Sequence, residues 1–441
     1  MKRTLLTALI VVCLPLMAIG QETDWKVLSR YEKAPVKKQL ASRLTDYAKI
    51  NTQSQLTDKV PSTPGQLKLA KQLAKELKKN GAVQVKVDKS GIVTAQVPGN
   101  AANYPTVAFF AHLDTTPSVS AQNVQPQTHT YKGGEIVIHA DKKLVLNTYN
   151  APQLLRANGH EIITASGDTL LGADDKAGAA ILLTAVQYLY DHSQLPHGTL
   201  YFVFTPDSYS GKGIAQLDAA QIPADYVYTL DAGELGQLVS ETFSGKQFKA
   251  VFEGDRTPQL STAIHSPFAD NILMASDFHT LLPRHKRPET TANKNGFIYV
   301  DNISTQGNRS EVTGIIRAFS EAELQTLTQE VTQAFNTVKS MNYKGKNFAL
   351  TFVSQDTNVK NALPEKTLTR AQTAMKAEEV TPLLAAARQT TDAARLAVKG
   401  LPAAGLFTGY YHPGTLLEYA DVDVMEASFR TVLRLITSPA K

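Results

Sequence analysis

The chain has 441 residues, of which 43% are hydrophobic and 19% are charged, and its formal net charge is +5. These values are typical of a soluble globular protein with room for two domains, and they exclude an intrinsically disordered chain. The weak positive charge is spread along the sequence, so it gives no reason to expect a nucleic-acid partner.

The N-terminus has the pattern of a secretory signal peptide. Lys2 and Arg3 precede an apolar run over residues 5–18, and small residues follow up to Gly20. The run is too short to span a bilayer comfortably, so a membrane anchor is the less favoured interpretation. A lipoprotein cysteine at Cys13 is disfavoured because the valines before it replace the usual small residue. We expect a periplasmic or secreted protein without membrane contact after cleavage.

Cys13 is the only cysteine, so cleavage near Gly20 leaves a mature chain without any. Disulfides, thiolate metal ligands and a cysteine nucleophile are therefore not expected. Any metal ion has to be held by histidine and carboxylate side chains.

Two helices are predicted early in the mature chain. The first covers residues 36–50. The second has Thr63 as its N-cap, Pro64 at its first helical position and Gln66 where a capping box needs it. It ends at the Asn-Gly pair of residues 80–81.

Three apolar runs of strand length follow, and each ends in polar residues. They cover residues 106–111, 200–204 and 226–230. Continuous apolar runs are typical of strands buried on both faces of an α/β sheet. The first run leads into His112 and Asp114, the second into Asp207 and the third into Asp231. Open α/β sheets bind ligands at the carboxyl ends of their strands, so these residues are site candidates.

A Gly/Ala-rich turn over residues 171–178 contains two adjacent acids, Asp174 and Asp175, directly before a strongly apolar helix. One interpretation is that Asp174 caps the helix and Asp175 faces its positive dipole end. The other is that Asp174 is a metal ligand on a buried turn. The strand-end histidine and acids favour the second interpretation, because they would supply its partners.

From about residue 244 the pattern changes to strand, helix, strand, strand, helix, strand. The predicted elements are strands over 246–252, 296–303, 311–319 and 348–353 and helices over 267–282 and 320–341. This order is that of a ferredoxin-like α+β domain. Ser320 with Glu323 forms a capping-box pattern for the second helix. We expect an inserted domain, after which helix and strand patterns resume.

Several motifs together resemble peptidase T, the tripeptide aminopeptidase branch of the dinuclear zinc exopeptidases. The matching stretches are residues 111–115, 131–134, 169–178, 204–207, 228–236, 391–392 and 407–409. The resemblance covers nearly the whole mature chain and implies an α/β/α catalytic domain interrupted by a ferredoxin-like lid. The resulting division is a signal peptide at 1–20, a catalytic domain at 21–243 and 357–441, and a lid at 244–356. It also implies short peptides or amino acids as ligands and a homodimer formed through the lid.

The resemblance implies that one zinc ion is held by His112, Asp174 and Asp231. Three protein ligands and an open position are the composition of a catalytic zinc site. A carboxylate commonly orients a ligating histidine through its other ring nitrogen. Asp114 is therefore expected to orient His112 or to act as a general acid or base.

The second zinc position departs from the family pattern. Where the family has a general-base glutamate and then a ligand glutamate, this chain has Ser208 and Tyr209. The spacing from Phe407 places Gly414 where the family has its last ligand, a histidine. His412 lies two residues earlier, and it either replaces that ligand or is an ordinary histidine. We expect one zinc ion per chain, with the turn at Ser208 and Tyr209 closing the former second site.

Two further family positions carry expectations. His265 matches a lid histidine that polarises the scissile carbonyl in a neighbouring subunit, although it also reads as a residue at a helix start. Arg388 stands where the family binds the substrate carboxylate, and a guanidinium suits bidentate carboxylate binding. Gln389 and Thr390 replace the glycines that follow it.

Three functions remain open from the sequence. The chain is an altered but active metallopeptidase, a non-catalytic protein that binds peptide or metal, or a mononuclear amidohydrolase that acts on another amide. The missing glutamates favour the second over the first, while the retained His112, Asp174 and Asp231 argue for metal binding. We predict a peptidase T-like zinc metallopeptidase homologue with reduced or lost hydrolytic activity.

Overall fold

The computed structural model describes residues 31–254, 270–341, 347–388 and 391–440. The helices are α1 (Lys33–Ala48), α2 (Pro64–Lys79), α3 (Ala173–Asp191), α4 (Lys212–Gln216), α5 (Asn271–Leu281), α6 (Glu321–Ser340), α7 (Glu365–Ala377), α8 (Asp392–Val398) and α9 (Val422–Thr437). None of these helices is long and apolar enough to cross a bilayer.

The strands of the first half are β1 (Val83–Val87), β2 (Val93–Val97), β3 (Val107–His112), β4 (Gln127–Thr130), β5 (Ile136–His139), β6 (Leu144–Leu146), β7 (Glu161–Thr164), β8 (Leu200–Thr205) and β9 (Tyr226–Ala232). Those of the second half are β10 (Gln237–Thr242), β11 (Ser244–Glu253), β12 (Phe297–Gln306), β13 (Arg309–Ala318), β14 (Asn347–Asp356), β15 (Leu383–Ala387), β16 (Ala404–Phe407), β17 (Tyr410–Tyr411) and β18 (Tyr419–Asp421).

The largest sheet has eight strands in the order β1-β2-β8-β3-β9-β16-β10-β15. The three predicted buried strands lie side by side in it as β8, β3 and β9, and both pairings with β3 are parallel. Every residue of β3 is buried. The carboxyl ends of these strands therefore meet at one edge of the sheet, which brings His112 and Asp231 together.

Helices cover both faces of this sheet. Phe109 packs into the core formed with α1, α2, α3 and α9, whereas the next residue, Phe110, packs on the opposite face with residues of α4 and α8. Helix α3 is almost entirely buried because its apolar residues run all the way round. The predicted α/β fold is confirmed.

A second sheet has the order β12-β13-β11-β14, and all its pairings are antiparallel. Helices α5 and α6 pack on it around a core that includes Phe248, Phe278 and Phe335. Half of the predicted capping box at the start of α6 is present, since Ser320 accepts the Glu323 amide, whereas the Glu323 carboxylate accepts the Gly296 amide. This ferredoxin-like unit is called the lid below, and its status as an independent domain stays a prediction.

Two smaller sheets complete the described part of the chain. One has the order β17-β18-β7-β4 and the other is the β5–β6 hairpin. Strand β18 leads directly into α9, whose N-cap is Asp421. These short strands are not among the elements predicted from the sequence. Glu418, the residue before β18, supports the site described next.

Candidate metal centre

His112, the last residue of β3, lies between two carboxylates that come from other segments. Its Nε2 is 3.1 Å from Asp174 Oδ1 and 3.7 Å from Asp231 Oδ1. Its Nδ1 is 3.0 Å from the Asp114 backbone oxygen and 3.3 Å from Asp114 Oδ1. The structure thus brings together the four residues that the sequence assigned to the first metal position. Their roles as ligands and orienter stay predictions.

Asp174 does not cap helix α3. Asp174 and Asp175 have non-helical backbone angles that kink the start of α3, and the two Asp174 carboxylate oxygens contact the His112 ring and the Tyr209 hydroxyl. The Asp174–Asp175 peptide bond is cis. Instead, the Asp174 carboxylate is directed at His112, and its backbone amide donates to Glu418 Oε1 over 3.0 Å. Glu418 Oε2 accepts the Gly172 amide, so one buried carboxylate fixes both ends of the turn.

Asp175 is a third buried acid at this position, and the sequence analysis did not assign it to the site. Its Oδ2 accepts the His112 backbone amide, and its Oδ1 is buried without a hydrogen-bond partner. One ligand atom each from His112, Asp175 and Asp231 lies within 4.8 Å of the others. Among the described residues, no lysine or arginine pairs with Asp174, Asp175 or Asp231.

The electrostatics of this cluster fit a bound cation. Burial raises the pKa of Asp231 to about 6. Burial alone would lower the pKa of His112, but hydrogen bonds to Asp114, Asp174 and Asp231 outweigh it and raise that pKa well above its usual value. Four acids surround this imidazole and three of them are buried, so the site favours uptake of protons or of a cation over unpaired negative charge. Imidazole and carboxylate ligands in this number suit zinc.

The second half of the site is occupied by hydroxyl groups. The Tyr209 hydroxyl donates to Asp174 Oδ2 over 2.9 Å, and the tyrosine ring lies edge-on to His112 with a centroid distance of 5.9 Å. Tyr209 remains 42% exposed. Burial of the hydroxyl end raises the pKa of Tyr209 above its usual value, which keeps the phenol protonated.

Ser208 is directed away from the cluster. Its hydroxyl donates to Asp392 Oδ1 over 2.8 Å, and Asp392 Oδ2 accepts the Thr205 hydroxyl. The backbone amides of Ser208 and Tyr209 donate to the two oxygens of Asp114. The carboxylates beside this turn are therefore already engaged by donors.

The predicted capping box of Thr63 and Gln66 at the start of α2 is wrong, because Gln66 binds the turn before Ser208. Thr63 makes no side-chain cap, so the expected capping box does not form. The Gln66 amide instead donates to Asp207 Oδ1 over 2.8 Å, and Gln66 Oε1 accepts the Asp207 amide. Asp207 has a φ of 51°, and this pair of bonds offsets the cost of that conformation.

His412 does not complete a metal site among the described residues, because neither group of three close ligands includes it. Its Nε2 is buried without a partner, and its ring lies 5.9 Å from that of Tyr419. Gly414, at the family's histidine position, has a φ of 67°, and a Cβ there would lie 3.0 Å from Thr116. That His412 replaces the missing metal ligand stays a prediction.

A cavity of about 540 Å³ adjoins the cluster and is lined by Asp231, Tyr410 and His412 at one end and by Arg388 at the other. The Tyr410 hydroxyl lies 3.2 Å from the Asp231 backbone oxygen, to which it donates. Arg388 is directed at the lid. Its guanidinium donates to the backbone oxygens of residues 293 and 295 and to the Thr291 hydroxyl. Its carboxylate-binding role stays a prediction, and His265 lies outside the described residues.

The fold has clear counterparts among solved structures. Aminopeptidase PepT from Bacillus cereus and a tripeptidase from Staphylococcus aureus each match with a TM-score of 0.68 and 20% identity, over 91% of this chain and 98% of theirs. The YXEP protein of Bacillus subtilis, described as a dinuclear metal-binding peptidase of the M20 family, matches with a TM-score of 0.61 and 14% identity over the same shares. The chain therefore has the fold of these solved peptidase structures.

Sequence comparison narrows the class to one family. Peptidase T from Clostridium botulinum is 34% identical over 403 residues, which cover 90% of this chain and 98% of the relative. Peptidase T from Clostridium acetobutylicum is 34% identical over 405 residues, with the same coverage. No family model matches the chain. The chain belongs to the peptidase T family.

Proposed function

We propose that this peptidase T homologue binds one zinc ion and short peptides and hydrolyses them slowly or not at all. The observation that carries the proposal is the hydrogen bond from Tyr209 to Asp174 Oδ2. Asp174 Oδ1 is the oxygen that contacts His112 Nε2, so Oδ2 is the one left for the second ion that the family resemblance implies. The protonated Tyr209 phenol satisfies Asp174 Oδ2 by a hydrogen bond. It also replaces the glutamate that would be a carboxylate ligand of the second ion.

The first position keeps a complete ligand set in this proposal. His112 Nε2, Asp174 Oδ1 and one oxygen of Asp231 would hold the ion, with Asp114 fixing the imidazole. A zinc ion bound there would supply Lewis-acid polarisation of a carbonyl group and of water. Glu418 holds the Asp174 turn through two backbone amides, so the ligand is pre-organised by the fold.

Proton transfer is the step that this chain's residues support poorly. A general base typically contributes roughly 10²–10⁴-fold to the rate. The Ser208 hydroxyl is a donor to Asp392 and is not a base near neutral pH. Asp114 and Asp392 already accept two or more donors each, which disfavours their taking a proton from water. Slow turnover follows from this arrangement.

The test is tripeptide hydrolysis by the zinc-loaded protein and by the double variant Ser208→Glu/Tyr209→Glu. We expect the glutamates to raise the rate by roughly 10²–10⁴-fold, because they return a base and a ligand. The matched control is Ser208→Ala/Tyr209→Phe, which removes both hydroxyls without adding a carboxylate and should give no increase.

If the double glutamate variant hydrolyses tripeptides no faster than the native chain, the proposal that Ser208 and Tyr209 reduce hydrolysis is wrong. Hydrolysis of a non-peptide amide by the native chain, with tripeptides untouched, would instead favour the amidohydrolase alternative. Peptide binding by calorimetry without turnover would favour the non-catalytic binding protein.

We also propose that the protein is exported. The support is the signal-peptide pattern of residues 1–20, which lie outside the described part of the chain. Expression of the full chain with and without residues 1–20, followed by cell fractionation, tests this. We expect a shortened product in the periplasm or medium only when the segment is present, and an uncleaved cytoplasmic product would contradict export.

A homodimer through the lid is the remaining proposal. Strand β12 is an edge strand of the lid sheet, and Tyr299 and Ile303 on it are 46% and 47% exposed. An exposed edge strand can pair with a second copy. Light scattering should give twice the monomer mass, and Ile303→Lys should shift it towards the monomer. A monomeric native chain would contradict the proposal.

A further inference from the structure

A buried chain of charged groups joins the turn that carries Tyr209 to the base of the lid. Its members are Arg317, Asp356, Arg395 and Asp392, and it ends at Ser208. Arg317 and Asp356 are each 7% exposed, Asp392 is 3% exposed, and the Arg395 side chain is 14% exposed. These residues are called the ionic chain below. Proton transfer and metal binding as described above do not use its two arginines.

Arg395, on α8, holds the turn directly. Its guanidinium donates to the Ser208 backbone oxygen, and its Nη1 lies 3.3 Å from Asp392 Oδ1, the oxygen that also accepts the Ser208 hydroxyl. The turn continues over the guanidinium at Gly211, which has a φ of 72°. A Cβ at this position would lie 2.5 Å from Arg395 Nε, so the close contact requires glycine.

The other side of Arg395 faces the base of the lid. Its Nε lies 3.9 Å from Oδ1 of Asp356, the last residue of β14, and Asp356 forms an ion pair with Arg317 near the end of β13. Arg317 in turn packs against Gly245 at the start of β11, where a Cβ would overlap its guanidinium. These charges thus join the strand ends at the base of the lid to α8 and to the Ser208 turn.

The charges make this connection stiff. A buried ion that loses its partner is strongly destabilising, whereas a complete set is tolerated. Moving the base of the lid would separate Asp356 from Arg395 unless Arg395 moved as well. Because Arg395 also holds the Ser208 oxygen, the turn would follow. Tyr209 is the next residue in that turn, and its hydroxyl is bonded to Asp174.

We propose that Arg395 is a positioning residue that couples the base of the lid to the contact between Tyr209 and Asp174. The effect of this coupling on metal binding rests on the proposed metal site. Its structural part, the link from Asp356 to the Ser208 turn, holds in the metal-free protein. A change at the lid base should therefore be felt at the turn with or without metal.

The first measurement uses metal-free full-length protein and hydrogen exchange followed by mass spectrometry. We expect Asp356→Asn, at the lid base, to raise exchange in residues 205–212, and Arg395→Met to raise it further. The control is Arg430→Met, which breaks pairs with Glu378 and Glu426 at 2.9 Å elsewhere and should leave that segment unchanged. Unchanged exchange in 205–212 for both Asp356→Asn and Arg395→Met would overturn the coupling.

The second measurement uses Co²⁺ in place of zinc, because its absorption spectrum reports ligand geometry. We expect Arg395→Met to change the spectrum and to weaken Co²⁺ binding by less than the roughly 10–100-fold that loss of a ligand's direct outer-shell partner costs, because Arg395 reaches Asp174 only through the turn. Arg395→Lys should restore part of the native spectrum. A lysine ammonium can reach either the Ser208 backbone oxygen or Asp392 Oδ1, but not both. Arg430→Met should leave the spectrum unchanged.

The two measurements separate the two failures. A native chain that binds no Co²⁺ would refute the proposed metal site, while the exchange result would still decide the coupling. A normal Co²⁺ spectrum in Arg395→Met, with thermal unfolding lowered as in Arg430→Met, would show that Arg395 has only a structural role.

Discussion

The two halves of the candidate metal centre are built differently. In the half around His112, buried acids face an imidazole, and one of them, Asp175, has an oxygen without a partner. In the half around Tyr209, the hydroxyls of Tyr209 and Ser208 both donate to carboxylates of the protein. The first half concentrates negative charge that a proton or a cation would balance, whereas the hydroxyls of the second half are already bonded to carboxylates.

The proposed closure of the second metal position is compatible with these contacts. A buried carboxylate oxygen that loses a cation needs a hydrogen-bond donor, because leaving it unsatisfied costs about 1–3 kcal/mol. Tyr209 supplies that donor to Asp174, and Arg395 and Asp392 satisfy the polar groups of Ser208. The two replacements are therefore integrated into the surrounding contacts.

The largest effect is expected for Asp231→Asn in the half around His112. Removing one of three ligands should weaken zinc binding by more than the roughly 10–100-fold that loss of an outer-shell partner costs. The metal-free variant should unfold at the native temperature or above it, because one like charge is gone. Calorimetric titration and thermal unfolding check both points. Native zinc affinity in this variant would show that Asp231 is not a ligand.

Glu418→Gln should have the next largest effect. An amide offers one oxygen where the carboxylate accepts the amides of both Gly172 and Asp174, so the Asp174 turn loses one of its two bonds. We expect zinc affinity to fall by roughly 10–100-fold. Glu161→Gln, a change from acid to amide outside the cluster, is the control. Equal zinc affinity in both variants would contradict the role given to Glu418.

Tyr209→Phe tests the balanced half by itself. The change removes the hydrogen bond to Asp174 Oδ2 and keeps the ring, so the metal-free protein should lose about 1 kcal/mol of stability. Urea unfolding in the presence of a chelator measures this loss. Tyr149→Phe, at a tyrosine that is 95% exposed, is the control. No difference between the two variants would show that the Tyr209 hydroxyl does not satisfy Asp174.

The smallest effect concerns a second cluster, in which His160 Nδ1 lies 2.7 Å from Asp421 Oδ2 at the N-cap of α9. The hydrogen bond to Asp421 raises the pKa of His160. The resulting stability is fully present below the unfolded histidine pKa and is lost as the pH rises through the folded pKa. His160→Gln should therefore cost up to about 1 kcal/mol at pH 6 and less at pH 9.

The control for this pH effect is His129, whose pKa is lowered by burial. Its contribution has the opposite sign, because the stability is present above the unfolded pKa and is lost as the pH falls. His129→Gln should therefore become relatively more stable as the pH falls. A pH-independent cost of His160→Gln would contradict the charge-based explanation.

The sequence predicted the parts of the fold that have strong local patterns. The continuous apolar runs that became β3, β8 and β9 were placed correctly, since such runs have few alternatives to a buried strand. The ferredoxin-like order was also visible, because its strands are ten residues long and its helices are capped. Strands β17 and β18 have only two and three residues, too few to show a period.

The supporting residues of the site could not be predicted because they come from distant parts of the chain. Glu418 is 246 residues from Gly172, and Asp392 is 184 residues from Ser208. Gln66 was assigned to a capping box by local spacing, but the tertiary contact with Asp207 displaced that local bond. The bond from the Tyr209 phenol to Asp174 joins residues 35 apart in the chain, so local sequence patterns do not show it.

The most direct test of the account is the number of zinc ions bound per native chain. Metal-free full-length protein would be titrated with zinc against a chromophoric chelator, and the bound metal counted by mass spectrometry after dialysis. The account predicts one tightly bound ion, with Asp231→Asn binding none. Two tightly bound ions per native chain would contradict it, because the position beside Tyr209 would then be open to a second ion.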